Sequence, residues 1–458
     1  MDLEDRPNMS LRAKKSGPGN KGEFVSRGAA APIELSAIGL ESEFSLFIDD
    51  RLVTPEQIFG TPQRFVRQRL VHRVGTSYHL PTGGAIYFDT GVIEVATPVI
   101  EIDRGCAARA GRSLWESILF VRDELDAWER RSGRTARLAG FSTHYNISTM
   151  PASMRMTPTA RTSAEAALTA TASPSTANRT NGRRRRYGSG RRLEDLAFLL
   201  THILPIPVLL LAANRRSTGI GVRPRGDRIE VTADFTPSPS LMIAAATLIT
   251  GVVPAVMEWP RYDVDVLRHR RIPFIADFEP LPHTSRKGWL ARAESYSESP
   301  FAADIDDARW VVDPSFFGNE EVRRLSLREI ARHTFFRFRR AIRRISDPFS
   351  YRLLAAVFDG RVPVLLELED RPPAYEDVGR LCTWDNLFPE RMLCRSQYER
   401  VLIRAISGER LVLDGTVFRP MGMRGWSEVV FERLPEGTRH RFPIDFLLRH
   451  IERWEKGA

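Results

Sequence analysis

Gly39-Leu40-Glu41-Ser42-Glu43-Phe44 is the stretch on which the reading of this chain turns. It lies inside an apolar, strand-like run from Ile33 to Ile48. Side chains two residues apart on a strand share a face, so Glu41 and Glu43 project together. Two carboxylates held that close repel unless a cation sits between them, and carboxylate oxygens suit a hard divalent ion such as Mg²⁺. The plain alternative is a solvated strand face that happens to carry two glutamates. Similar polar sets on three later segments favour a site.

The first of these segments is Gly84 to Thr97. Tyr87 and Asp89 share one strand face, Ile86 and Phe88 the other, and Glu94 falls on the opposite parity to Asp89. Asp89 and Glu94 can face one cavity only if the strand breaks or bulges between them, and Gly91 is a residue that permits it. In the second, Gly140 to Thr149, His144, Asn146 and Ser148 are in register on one face. The third runs from Asn214-Arg215-Arg216 to Asp234, with Gly226-Asp227 read as a turn between two strands. On the return strand Arg228, Glu230 and Thr232 are in register, while Ile229 and Val231 turn to the core.

The segments between supply the covering layer. Thr54-Pro55-Glu56-Gln57 reads as a helix start. Leu114, Ile118, Val121, Leu125 and Trp128 recur at helical spacing, which predicts an amphipathic helix over a sheet. Leu193 to Ala213 and Pro237 to Val256 read as apolar helices, and Asn319 to Ile345 as one long basic helix. Short strands at Arg410 to Phe418 and Ser427 to Leu434, then a terminal helix from Pro443, predict a small C-terminal α+β module over 377–458. Residues 1–32 are rich in Gly, Lys, Arg, Ser and Pro and predict a disordered basic tail. Residues 151–192, dominated by Thr, Ala, Ser, Pro and Arg and containing Arg183 to Arg186, predict a flexible Arg-rich loop or insertion in a catalytic domain spanning 33–376.

With 458 residues, 27% of them charged, the chain has room for two or three domains and a large core. Its longest apolar candidate for a membrane span, Leu196 to Ala213, is interrupted by His202 and two prolines, so no membrane association is expected. The N-terminus lacks the apolar core of a signal peptide. Cys106, Cys382 and Cys394 show no disulfide or metal-ligand spacing. Both features lead us to expect a cytoplasmic protein. The net charge of +10 is concentrated in the tail and in Arg183 to Arg192. No zinc-finger spacing or aromatic-interleaved basic strand accompanies it, so nucleic acid is not the expected partner.

Taken together, the strand faces carry Glu41, Glu43, Asp89, Glu94, His144, Asn146, Arg228 and Glu230. Such a surface is expensive to cover without ligands. The carboxylates and the histidine would hold two or three hard divalent ions, and neighbouring arginines would neutralise phosphate oxygens. Those are the parts of a phosphoryl-transfer site. No Walker-type loop and no protein-kinase motif set is present, so a nucleotide must be held in another way.

In their order these motifs resemble the glutamine synthetase superfamily of carboxylate–amine ligases. The matching elements are Gly39 to Phe44, the Glu94 segment, the His144 strand, and Asn214-Arg215-Arg216 through Arg228-Ile229-Glu230-Val231. The last continues into Asp234-Phe235-Thr236-Pro237-Ser238-Pro239-Ser240-Leu241 and an Ala-rich helix. Within the superfamily, Gly39 to Phe44 and Gly84 to Thr97 are most similar to the ligase and deamidase of prokaryotic ubiquitin-like protein, Pup. The resemblance spans roughly residues 36 to 255. It implies an α+β fold with a curved, mostly antiparallel sheet backed by helices, and Glu41, Glu43, Glu94, His144 and Glu230 as the metal-ligand set. It further implies that Arg223 and Arg228, with Arg216 beside them, meet ATP phosphates, that Asn146 orients nucleotide or metal-bound water, and that Asp89 handles the proton at the reacting carbonyl, with Arg223 in the same catalytic set.

Three positions depart from the pattern. Val92-Ile93 stand where the Pup enzymes have His-Pro, Thr232 where glutamine synthetases place another arginine, and Thr143-His144-Tyr145-Asn146 where the Pup enzymes have Cys-His-Glu-Asn. The activity implied is an ATP- and Mg²⁺-dependent ligase that joins a carboxylate to an amine, with a small protein or peptide among the possible substrates. A hydrolase opening an amide in the same site, and a silent protein that keeps ATP as a structural ligand, are the alternatives.

Overall fold

The computed structural model describes residues 36–148, 192–364 and 400–455, apart from 68–70, 75–76, 81–82, 214–216, 218, 226–227, 276–277, 284–287, 293–307, 315–319, 363, 402–403, 406–407 and 425–427. The expected tail (1–32), the expected insertion (151–192, except Arg192) and Arg216 lie outside the described residues. The chain divides into two units, Met1–Glu34 and Leu35–Ala458, and every described residue belongs to the second.

The fold is mixed α+β. In chain order the first strands are β1 (Ala37–Ile48), β2 (Arg51–Val53), β3 (Val71–Val74), β4 (Ser77–His79), β5 (Ala85–Asp89), β6 (Val92–Ala96), β7 (Ile100–Glu101), β8 (Ala136–Ser148), β9 (Gly219–Arg225) and β10 (Arg228–Asp234). After β11 (Phe274–Ile275), β12 (Leu281–Pro282) and β13 (Trp289–Arg292) complete one twelve-stranded sheet in the order β12-β13-β9-β10-β8-β1-β6-β5-β4-β3, with β2 and β7 also paired to β1. Every pairing in it is antiparallel. β11 joins β14 (Ala308–Pro314) and β15 (Glu320–Ser326) in a second sheet, and β16 (Leu411–Leu413), β17 (Thr416–Arg424), β18 (Glu428–Leu434) and β19 (Arg439–Pro443) form a third.

Alternation along the central strands separates the two faces of the large sheet. Leu40, Phe44, Val95, Tyr145, Ile147 and Val231 are fully buried on one side. The helices Cys106–Ser132, Pro205–Ala212 and Pro239–Met257 pack on that side, and Leu327–Ile345 and Pro348–Phe358 lie over Pro239–Met257 as an outer layer. Pro239–Met257 is therefore enclosed on all sides. By length and composition it could span a bilayer, a feature our sequence reading assigned only to Leu196–Ala213 as a candidate, yet 83% of its apolar window is buried inside the protein.

Three sequence expectations need correction. Leu193 to Ala213 is two helices, Arg192–Leu200 and Pro205–Ala212, bent by 61° at the intervening turn. Pro205 and Pro207 cannot donate the backbone bonds that a continuous helix would need there. Asn319 to Ile345 is not one helix: Glu320–Ser326 is β15, paired with β14, and the helix begins at Leu327. Ser326 ends the strand with a capping box, accepting from Glu329 N–H (3.2 Å) while the Glu329 carboxylate accepts from Ser326 N–H (2.8 Å). In the C-terminal region, Arg410 to Phe418 is not one strand: β16 and β17 form a hairpin that turns at Asp414 (φ 47°) and Gly415 (φ 77°), and a fourth strand, β19, is hidden by its Arg-His-Arg composition, because only Phe442 turns into the apolar cluster there.

Candidate metal centre

The open face of the large sheet carries the polar residues, and register lines them up in rows across the strands. One row runs Tyr87, Glu94, Glu43, Ser142 and Asp234. The next runs Glu41, His144, Thr232 and Gly221. The third is Asn146, Glu230 and Arg223, and the fourth Ser148, Arg228 and Arg225. Neighbouring strands lie about 4.8 Å apart, so residues from three adjacent strands fall within reach of one ion.

The parity conflict between Asp89 and Glu94 is resolved by a hairpin. Thr90 (φ 46°) and Gly91 (φ 93°) form the two-residue turn between β5 and β6, with Asp89 opposite Val92. Two consecutive residues with positive φ suit a tight turn whose twist matches the strands it joins. The chain reversal puts Tyr87, Asp89 and Glu94 on one face. Asp89 is exposed at the hairpin tip, two pairs beyond Tyr87 and Glu94, which is about 7 Å along the strand.

All five residues expected as metal ligands converge. Glu41, His144 and Glu230 bring ligand atoms within 4.8 Å of one another, as do Glu43, Glu94 and His144. His144 thus stands between two groups, with Nδ1 3.5 Å from Glu41 Oε2 and Nε2 3.8 Å from Glu43 Oε2. Except for Glu43, which is half-buried, all are buried. The Tyr87 phenol donates to Glu94 Oε1 (2.6 Å) and lies 3.3 Å from Glu41 Oε1, Asn146 Nδ2 donates to Glu41 Oε2 (3.0 Å), and Ser142 Oγ donates to Glu43 while lying 3.2 Å from His144 Nε2. These bonds hold the carboxylates in place against their mutual repulsion.

The crowding shows in the proton affinities. Burial, reinforced by the charge of Glu41, pushes Glu94 up to about 8. Burial by itself would lower His144, but its hydrogen bond to Glu41 and the charges of Glu43 and Glu230 outweigh it and hold the imidazole at about 9. Burial would raise Glu41, yet His144, Arg228 and Asn146 bring it down to about 2. A divalent cation would release both excess protons and take their place. Hard oxygen donors with one imidazole suit such an ion, and Asn146, bonded to Glu41 through Nδ2, adds a buried Oδ1 with no hydrogen-bond partner.

At the other end of the face, Arg223 is buried and paired with Glu230, whose other oxygen lies 3.2 Å from Arg225 Nε. Arg228 occupies the neighbouring row on β10 and its charge acts on Glu41. Arg223, Arg228 and Asn146 therefore lie beside the carboxylates. Sequence reasoning assigned no role to Tyr87, Ser142 or Arg225, although Tyr87 shares parity with Asp89, and Ser142 lies two residues before His144. The usable signal was that parity.

Neither a family model nor a curated protein matches the sequence. Among solved structures, the fold is similar to that of a chain in the crystallised complex between the prokaryotic ubiquitin-like protein Pup and its ligase PafA, over 91% of this chain and 92% of that one, with a TM-score of 0.44 and 9% sequence identity.

Proposed function

We propose that this protein is an ATP- and Mg²⁺-dependent carboxylate–amine ligase with a glutamine-synthetase-like sheet, forming an amide or isopeptide bond through an acyl phosphate. The observation that carries the proposal is the convergence of Glu41, Glu43, Glu94, His144 and Glu230, from four separate segments, into two ligand groups sharing His144. Bound there, Mg²⁺ supplies charge neutralisation for a triphosphate and for the phosphoryl group in transfer. The chain's own residues do the rest. Arg223 and Arg228 hold phosphate oxygens at the β9–β10 end of the face. Asn146 Nδ2 donates to Glu41 and leaves its own buried Oδ1 unpartnered, and the Tyr87 phenol bridges Glu41 and Glu94.

The chemistry has two stages. A substrate carboxylate oxygen attacks the γ-phosphorus of ATP, ADP leaves, and an acyl phosphate forms. An amine then attacks the acyl carbon, phosphate departs, and Asp89, exposed at the β5–β6 tip, accepts the amine proton. A small protein or peptide presenting a carboxylate would have access at this open end.

The test is incubation of the purified protein with ATP, Mg²⁺, Pup or another carboxylate-bearing peptide, and a lysine-containing acceptor, with products resolved by intact-mass spectrometry. Stoichiometric ADP release with a new bond of one water less than the summed masses supports the ligase. In a parallel incubation with an isopeptide-linked conjugate of the two, bond opening without net ADP release identifies an amide hydrolase instead. Nucleotide bound stoichiometrically without turnover identifies a silent ATP-binding protein.

A further inference from the structure

The phosphate end of the face holds one more polar group. His283 follows β12, and its backbone N–H donates to Gly288 O (2.9 Å) just before β13, the strand paired with β9. Gly288 adopts φ +113°, and a Cβ there would stand 2.7 Å from both Arg223 Cα and Val222 O. Only glycine allows that approach. On β9, Gly221 makes room in the same way. A Cβ at Gly221 would lie 3.2 Å from His283 Cδ2 and 3.3 Å from Nε2, and would collide with Thr232 Oγ1. Gly221 pairs with Thr232, and Thr232 with His144. The imidazole thus lies on the open face, over a position two strands from His144, which is about 10 Å. Two glycines on different elements are required to seat it there.

We propose that His283 is a further nucleotide-contacting residue, whose imidazole N–H donates to a phosphate oxygen beside Arg223. This deepens the ATP-site reading and rests on it. The need for a further donor follows from the ion pairs. Arg223 and Arg225 both face Glu230, which offsets part of their charge before any phosphate arrives. Burial, followed by the charge of Arg223, holds His283 below the ordinary histidine value. Held toward its neutral form, the ring carries an N–H and adds less repulsion to the arginines than a charged group would.

The experiment measures binding of the non-hydrolysable analogue adenylyl imidodiphosphate, in Mg²⁺, by calorimetry with the wild type, His283→Ala and His283→Gln. Loss of one hydrogen bond to a charged oxygen weakens binding about tenfold or more in the alanine variant. The glutamine variant, which keeps an N–H donor, restores most of it, and Mg²⁺ binding without nucleotide is the same in all three. Wild-type binding with an undiminished alanine variant overturns the inference and leaves the ATP site standing. A glutamine variant as weak as alanine overturns N–H donation, and that comparison also decides the matter if the alanine variant melts lower. Absence of nucleotide binding by the wild type overturns the ATP reading and this inference together.

Discussion

Replacing Glu94 by glutamine should stabilise the metal-free protein, although Glu94 belongs to the site. The carboxyl is 3% exposed, faces Glu43 across the β1–β6 pair, and has its pKa raised from 4.5 to about 8, chiefly by burial and then by the charge of Glu41. In the unfolded chain it loses its proton near the ordinary value; in the folded protein it keeps it until about pH 8. The folded state binds the proton more tightly, so stability falls as pH rises through that window and is lowest above it. At about 1.4 kcal/mol per pKa unit, the whole window amounts to on the order of 5 kcal/mol. Glutamine keeps the shape of the protonated acid and does not titrate. After subtracting the difference at pH 5, Glu94→Gln should exceed the wild type by roughly 3 kcal/mol at pH 7 and on the order of 4 kcal/mol at pH 8.5. Urea unfolding in EDTA, followed by tryptophan fluorescence at several pH values, measures it. Adding Mg²⁺ should reverse the order, because only the wild type then has the full ligand set. A stability difference that stays flat between pH 5 and pH 8.5 refutes the reasoning, since it would mean that Glu94 does not carry the excess proton.

Other outcomes follow from the same geometry. Asp89→Asn should lower kcat by about a hundredfold or more with nucleotide affinity unchanged, as expected for a lost proton acceptor outside the ligand groups; steady-state kinetics with direct nucleotide binding checks both. Glu230→Gln removes the carboxylate faced by Arg223 and Arg225, and should lower unfolding free energy by about 3 kcal/mol at pH 7, read by urea titration. Gly140→Ala would drive a methyl group into the Phe235 ring and should cost about 1–3 kcal/mol, seen as a lower melting temperature. Raising the pH from 6 to 8 should tighten Mg²⁺ binding, because Glu94 and His144, held at about 8 and about 9, must release protons to the solvent; calorimetry in buffers of different ionisation enthalpy counts them.

Period-two alternation made much of the site legible before any coordinates. Glu41 and Glu43, His144 and Asn146, and Arg228 and Glu230 each lie two residues apart, so a strand places each pair on one face whatever surrounds it. The amphipathic helix Cys106–Ser132 was readable from its helical spacing, and the helix Pro239–Met257 from its unbroken apolar run. Periodicity does not say which strands are neighbours. Pairing β8 between β1 and β10 put His144 opposite Glu41 and Thr232, and that pairing, not local sequence, made one imidazole common to two ligand groups. The same limit explains the errors: Asn319 to Ile345 has charge along its whole length, and only pairing with β14 made its first part a strand. His283 shares no motif with β9, and its imidazole comes to the site only because it lies against Gly221 of that strand. Residue spacing along one strand is local geometry and is encoded locally; contacts between strands distant in sequence depend on burial and hydrogen bonding across the whole sheet, and only the folded chain decides them.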